Sequence, residues 1–139
     1  GLAEYPDHSF DYVILNQSLQ EVRKALFLLR EALRVGNRVI VGFPNFAHIR
    51  ARWSLFFGGK APMTPSLPYH WYDTPNVRFL SISDFRRFCR ENGFAVEKAA
   101  FMNGNREIAF WPNLRALGAI FLLGGRSFPP GSSAGKGAR

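Results

Sequence analysis

The chain has 139 residues, of which 47% are hydrophobic and 20% charged, a size and balance that fit one globular domain with a real core. Its single cysteine, Cys89, excludes an intrachain disulfide framework and a multi-cysteine zinc site, and no run of the ~18 apolar residues of a membrane span occurs. The formal charge of +8 includes Arg126, Lys136 and Arg139 of the tail, and the remaining excess is scattered rather than clustered, which argues against nucleic-acid binding.

Residues 1–9 (GLAEYPDHS) read as a polar lead-in with a solvated His8. Phe10–Asn16 (FDYVILN) follows as a strand. Its near-continuous run Tyr12-Val13-Ile14-Leu15 is the pattern of a parallel strand covered on both faces. Val22, Ala25, Leu26, Leu29, Ala32 and Leu33 fall at helical spacing and predict a helix over Glu21–Val35, with Arg23, Lys24, Arg30 and Arg34 facing away. Gly36 is expected to end that helix in a left-handed conformation. Arg38–Gly42 (RVIVG) is the next strand, so a strand, a helix and a strand within ~35 residues predict a right-handed parallel crossover.

Asn45 is placed to cap a helix over Phe46–Phe57, which Gly58-Gly59 terminates. Lys60–Asn76 then carries Pro62, Pro65, Pro68 and Pro75. A loop this long inside a compact domain is expected to be a lid or a binding loop. Ser83 or Asp84 starts a helix through Asn92 with Phe85, Phe88 and Cys89 inward and Gly93 as its stop. Phe94–Met102 and Arg106–Trp111 read as strands around the turn Asn103-Gly104-Asn105. Asn113 is expected to cap a last helix, Leu114–Leu123, and a Gly/Pro/Ser-rich disordered tail runs over 124–139.

The sum is an α/β architecture: the C-terminal half of a Rossmann-like sheet, with parallel strands first and an antiparallel hairpin at the end. Its N-terminal strands, where such sheets carry the cofactor loop, are expected to be missing from this sequence. The first residue is Gly1 rather than Met, in keeping with that expectation.

Ligands in open α/β sheets bind beyond the carboxyl ends of the parallel strands. The first such end is Asn16-Gln17-Ser18-Leu19-Gln20, which reads either as a ligand-facing segment or as the cap of the following helix. The second is Phe43-Pro44-Asn45-Phe46. It resembles, with a different order of residues, the Asn/Asp-Pro-Pro-aromatic motif with which amino-group methyltransferases hold an amine, but reads better as a helix cap. Tyr69–Asn76 is the densest polar-aromatic cluster. There His70 and Asp73 could act as an acid/base pair, or Trp71 and Tyr72 could anchor a protein partner; alternatively the loop is simply pinned by its own side chains. Asn76 closes this binding loop. His48 reads as a surface residue and Cys89 as core. No spacing of His, Cys, Asp and Glu suits a metal, and neither a G-x-S-x-G elbow nor a glycine-rich phosphate loop is found.

The segments SFDYVILNQSLQEV, LREALRVGNRVIVGFPNF and LPYHWYDTPNVRFLSISDFRRFCRENGF together resemble the MetW family of methionine-biosynthesis proteins, over about residues 5–123. The turn Arg34-Val35-Gly36, the FPNF tetrapeptide, Tyr72–Asn76 and Trp111-Pro112-Asn113-Leu114 carry the more specific part of the likeness. The resemblance implies a class I S-adenosylmethionine (SAM)-dependent methyltransferase fold, of whose seven strands the fourth to seventh are present. It also implies a SAM pocket beside Asn16, Gln17 and Leu19, and a cytoplasmic role in methionine biosynthesis in concert with a homoserine O-acyltransferase. Methyl transfer to a small molecule is the alternative activity. Without the glycine-rich loop and the ribose-binding acid, this stretch alone is expected to be inactive and to hold no cofactor. Its first strand, left as an apolar edge, is expected to promote aggregation.

Overall fold

A computed structural model of the chain describes residues 1–124. Five strands form one mixed sheet: β1 (Phe10–Asn16), β2 (Gly36–Pro44), β3 (Ala95–Asn103), β4 (Arg106–Glu107) and β5 (Gly118–Gly124). Their spatial order is β1-β2-β5-β3-β4. Only β1 and β2 are parallel, with Leu15 opposite Val41; β5 runs antiparallel to both of its neighbours. The helices are α1 (Ala25–Val35), α2 (Ile49–Gly58), α3 (Ile82–Asn92) and the single turn α4 (Pro112–Arg115). The α/β class and the parallel β1–α1–β2 unit agree with the sequence reading. The tail expected past Gly124 lies outside the described residues.

The principal difference is at the C-terminal end. Leu114–Leu123, expected as a helix, is a short helical turn followed by the strand β5, which inserts between β2 and β3. Gly118–Gly124 (GAIFLLG) is an uninterrupted apolar run between glycines, and such a run carries neither a helical nor an alternating period. Its place inside the sheet, with partners on both sides, decides in favour of a strand. The expected hairpin of β3 and β4 exists, but β4 is two residues long rather than reaching Trp111, and β5 supplies the main antiparallel pairing.

Alternate residues of β1, β2 and β5 build the core. Leu15, Val39, Val41, Phe43, Phe121 and Leu123 pack against Leu29, Ala32 and Leu33 of α1 and Phe85 and Cys89 of α3. Phe121 sits at its centre, with ring centroids 4.8 Å from Phe85 and 5.9 Å from Phe43. Burying a side chain of this size contributes about 2–3 kcal/mol. The alternate residues on the opposite face, Tyr12, Ile14 and Ile120, are exposed. β1 was expected to be covered on both faces; within the described residues only the Val13 and Leu15 side is.

Local chemistry shifts several boundaries. α1 begins at Ala25 rather than Glu21, because residues 17–24 form a turn whose Gln20 carbonyl accepts hydrogen bonds from Val77 and Arg78 N–H. Gly36 is not left-handed: at φ −113° it is extended, and α1 passes directly into β2. The glycine is needed there because a Cβ would stand 2.6 Å from Val13 Cγ2. α3 starts one residue before the expected Ser83, on a reciprocal cap in which Ser81 Oγ accepts from Asp84 N–H and Asp84 Oδ2 accepts from Ser81 N–H. Gly93, at φ 71°, is its left-handed stop, as read from the sequence.

Arg34, expected to face solvent, instead ties down the first residues. Its guanidinium donates to both Glu31 carboxylate oxygens, to Asp7 Oδ1, and to the carbonyls of Leu2 and Tyr5. The Arg34 hydrogen bonds hold the Glu31 carboxyl below the usual carboxylate range.

Candidate functional site

The carboxyl ends of β1 and β2 lead into the two segments that the sequence marked. After β1, Gln17 takes a left-handed conformation (φ 53°) and its N–H donates to the Gly42 carbonyl at 2.7 Å. Asn16 is exposed and its side chain lies over Gly42, where a Cβ would come within 2.8 Å of Asn16 Oδ1. The missing side chain on β2 thus makes room for the amide on β1. Leu19 and Gln20 are buried, and Gln20 Oε1 has no hydrogen-bond partner among the described residues.

After β2, Asn45 is fully buried and its side chain is fully used. Nδ2 donates to the carbonyls of Asn113 and Ala116, while Oδ1 accepts from the N–H groups of Ala47 and Ile82. Asn45 is therefore not the cap of α2. His48 is, with Nδ1 accepting from Arg50 N–H at 3.1 Å, and the helix starts at Ile49. His48, expected on the surface, is buried. Burial and the neighbouring Arg50 charge push its pKa down, against a smaller upward pull from a backbone hydrogen bond at Arg115.

The proline-braced loop returns across this end of the sheet. Thr64 and Leu67 are buried and bridge each other through both backbone hydrogen bonds, which pins the loop's first half. Between the loop and α2 lies a cleft of about 300 Å³. Phe46, Leu55, Tyr69, Trp71, Asn76 and Phe79 are among the residues that line it, and the Phe46 and Phe79 rings stand 4.7 Å apart. The lining is largely apolar and aromatic, with Tyr69, Trp71, Thr74 and Asn76 as the residues that carry polar groups and no carboxylate or imidazole. It suits an apolar or aromatic group, with the Tyr69 hydroxyl as its one titratable side chain.

The sequence-predicted loop residues divide around this cleft. Trp71 and Asn76 line it. His70, Tyr72 and Asp73 are exposed on the turn outside it, where the His70 and Tyr72 rings stack at 5.2 Å and Asp73 N–H donates to the His70 carbonyl. No hydrogen bond joins the His70 and Asp73 side chains among the described residues, so the acid/base pair is not assembled here. A second cleft of about 420 Å³ runs between Leu19, Ala25, Arg78 and the α3 residues Asp84, Phe85 and Phe88. Leu19 lines this one, whereas Asn16 and Gln17 line neither. Phe46 and Phe79 were missed as site residues; the FPNF tetrapeptide was the available signal for Phe46, while Phe79 had none.

Asn16, Gln17 and Leu19 thus do not converge on one cavity, and no glycine-rich turn follows either parallel strand. Among the described residues, no cluster of His, Cys, Asp and Glu could bind a metal. No helix there is long and apolar enough to cross a membrane. Cys89 is buried on α3 and burial pushes its thiol up to about 12, which makes it an inert core residue rather than a nucleophile.

A family model described as methionine biosynthesis protein MetW matches residues 1–123. A curated protein of Rhodopirellula baltica, the bifunctional methionine biosynthesis protein MetXA/MetW, is 39% identical over an alignment of 128 residues that covers 88% of this chain. The chain spans 20% of the length of that relative. Among solved structures, a SAM-dependent methyltransferase of Thermotoga maritima, described as a possible histamine N-methyltransferase, matches with a TM-score of 0.56 at 18% identity. That match covers 88% of this chain and 58% of the other, and it shows a methyltransferase-like fold.

Proposed function

The chain belongs to the MetW family of methionine biosynthesis proteins, and from that premise we propose that it is an accessory factor that acts with a homoserine O-acyltransferase. The observation that carries the reading is the R. baltica relative, whose description joins MetXA and MetW in one polypeptide. Joining two modules in one chain raises the effective concentration of each for the other, which is useful where they act together. The largely apolar, aromatic lining of the cleft, with no carboxylate or imidazole, supports binding rather than chemistry at this end of the sheet. Co-expression with the acyltransferase of the same genome tests it: the two proteins are expected to co-purify through size exclusion. Separate elution at micromolar concentration contradicts the reading.

A second reading, SAM-dependent methyl transfer to a small molecule, is favoured by the methyltransferase-like fold. In it Asn16 and Gln17, exposed beyond the end of β1, would contact SAM, which would supply the methyl group. The loop residues His70, Trp71, Tyr72, Asp73 and Asn76 would meet the acceptor. Saturable SAM binding by the protein, weakened by Asn16→Ala, supports this reading; absence of binding removes it.

A further inference from the structure

α2 has two unlike sides. Ala51 is fully buried and Leu55 lines the aromatic cleft, so these residues face the body of the protein. Ile49, Trp53, Phe56 and Phe57 follow one another at helical spacing on the opposite side. Trp53 is 62% and Phe56 82% exposed, values far outside what isolated surface hydrophobics explain when they adjoin one another. The three rings form one patch, with centroids 4.2 Å apart for Trp53 and Phe57 and 4.7 Å for Phe56 and Phe57.

The charged residues next to the patch in sequence are cations. Arg50 and Arg52 lie on its two edges and Lys60 follows the helix, while no Asp or Glu occurs between Glu31 and Asp73. None of the three forms an ion pair among the described residues. Arg52 Nε donates to the Ala47 carbonyl at 2.7 Å, and neither arginine has a carboxylate partner among the described residues; large aromatics and arginines are the residue types that dominate protein–protein binding energy. An occupant must therefore bring an apolar pocket with carboxylates at its rim.

We propose that this outward face of α2 is the surface on which the homoserine O-acyltransferase docks, through an apolar pocket ringed by acidic side chains. This rests on the partnership argued above. Because Leu55 on the inner side of the same helix lines the cleft, a partner seated on α2 bears directly on the cleft behind it. The joined relative supports a protein occupant over a lipid surface or a second copy of the chain.

The test measures affinity for the acyltransferase of the same genome by calorimetry, using the chain in its natural polypeptide. Trp53→Ala and Phe56→Ser are expected to weaken binding at least about tenfold each. Arg50→Glu is expected to weaken it and to reduce its salt dependence. Melting temperature and circular dichroism should be unchanged, since these side chains are exposed. Ile14→Ser, on the uncovered sheet face, should bind like the parent. If the parent itself does not bind, the partnership fails and the docking surface with it. If the parent binds and the α2 variants bind equally well, the surface is wrong and the partnership stands. Loss of vesicle binding or of self-association in the α2 variants, with acyltransferase affinity intact, also overturns the proposal.

Discussion

Asn45 Nδ2 donates to the Ala116 carbonyl at 2.9 Å, across 71 positions of sequence and wholly inside the protein. The same amide reaches Asn113 and Ile82, so one side chain binds the end of β2 to α4 and to the start of α3. The FPNF tetrapeptide is a structural knot before it is anything else. Asn45→Ala would leave two carbonyls and the Ile82 N–H buried without partners, at a cost of about 2–4 kcal/mol. Asn45→Asp should be at least as damaging, since it sets a carboxylate oxygen against two carbonyl oxygens. Chemical denaturation of the two variants checks this; parent-like midpoints would refute the knot.

His48 gives the fold a pH dependence whose sign follows from its lowered pKa. The imidazole is neutral when folded, because Nδ1 accepts from Arg50 N–H and the ring is buried. The unfolded chain takes up the proton near the ordinary value of about 6.5. The His48 contribution to stability is therefore complete above that value and declines as pH falls below it. The variant His48→Asn can still cap α2 but does not titrate. Its melting temperature should fall less than the parent's between neutral and mildly acidic pH, and parallel curves would show that His48 does not titrate as described.

Cys89, with its thiol pushed up to about 12 by burial, should resist thiol reagents in the native state. Aromatic disulfide reagents at neutral pH are expected to modify it only after denaturant is added. Rapid labelling of the folded protein would mean that α3 opens readily from the sheet.

Ile14 is 67% exposed on β1, the outermost parallel strand of the described sheet. An apolar, unpaired edge of this kind templates association. Ile14→Lys is expected to reduce concentration-dependent light scattering without lowering the melting temperature. Scattering that is unchanged would place the association elsewhere.

The parts of the fold legible in the sequence are those with local signals. α1 and α3 show a helical period, Gly93 marks the end of α3, and Tyr12–Leu15 reads as a strand from its apolar run. β5 was not legible, because an apolar run between Gly118 and Gly124 takes its conformation from the strands on either side. Likewise nothing near Arg34 in sequence announces Asp7, Tyr5 and Leu2 as its partners. At the site, the loop cluster was found, and Trp71 and Asn76 do line a cleft. His70 and Asp73 suggested a pair by residue type alone, and side-chain direction, which separates them, is not written in spacing. The outward aromatics of α2 were read as an ordinary helix, since a hydrophobic stripe does not say which side faces the protein.

The most direct measurement is steady-state acyl transfer to homoserine by the acyltransferase of the same genome, with and without this protein at saturating concentration. A change in kcat or in the half-life of the acyltransferase at 37 °C, reproduced by the parent and lost in Phe56→Ser, is the outcome the account predicts. Identical turnover and identical half-life in the presence and absence of the protein would contradict it.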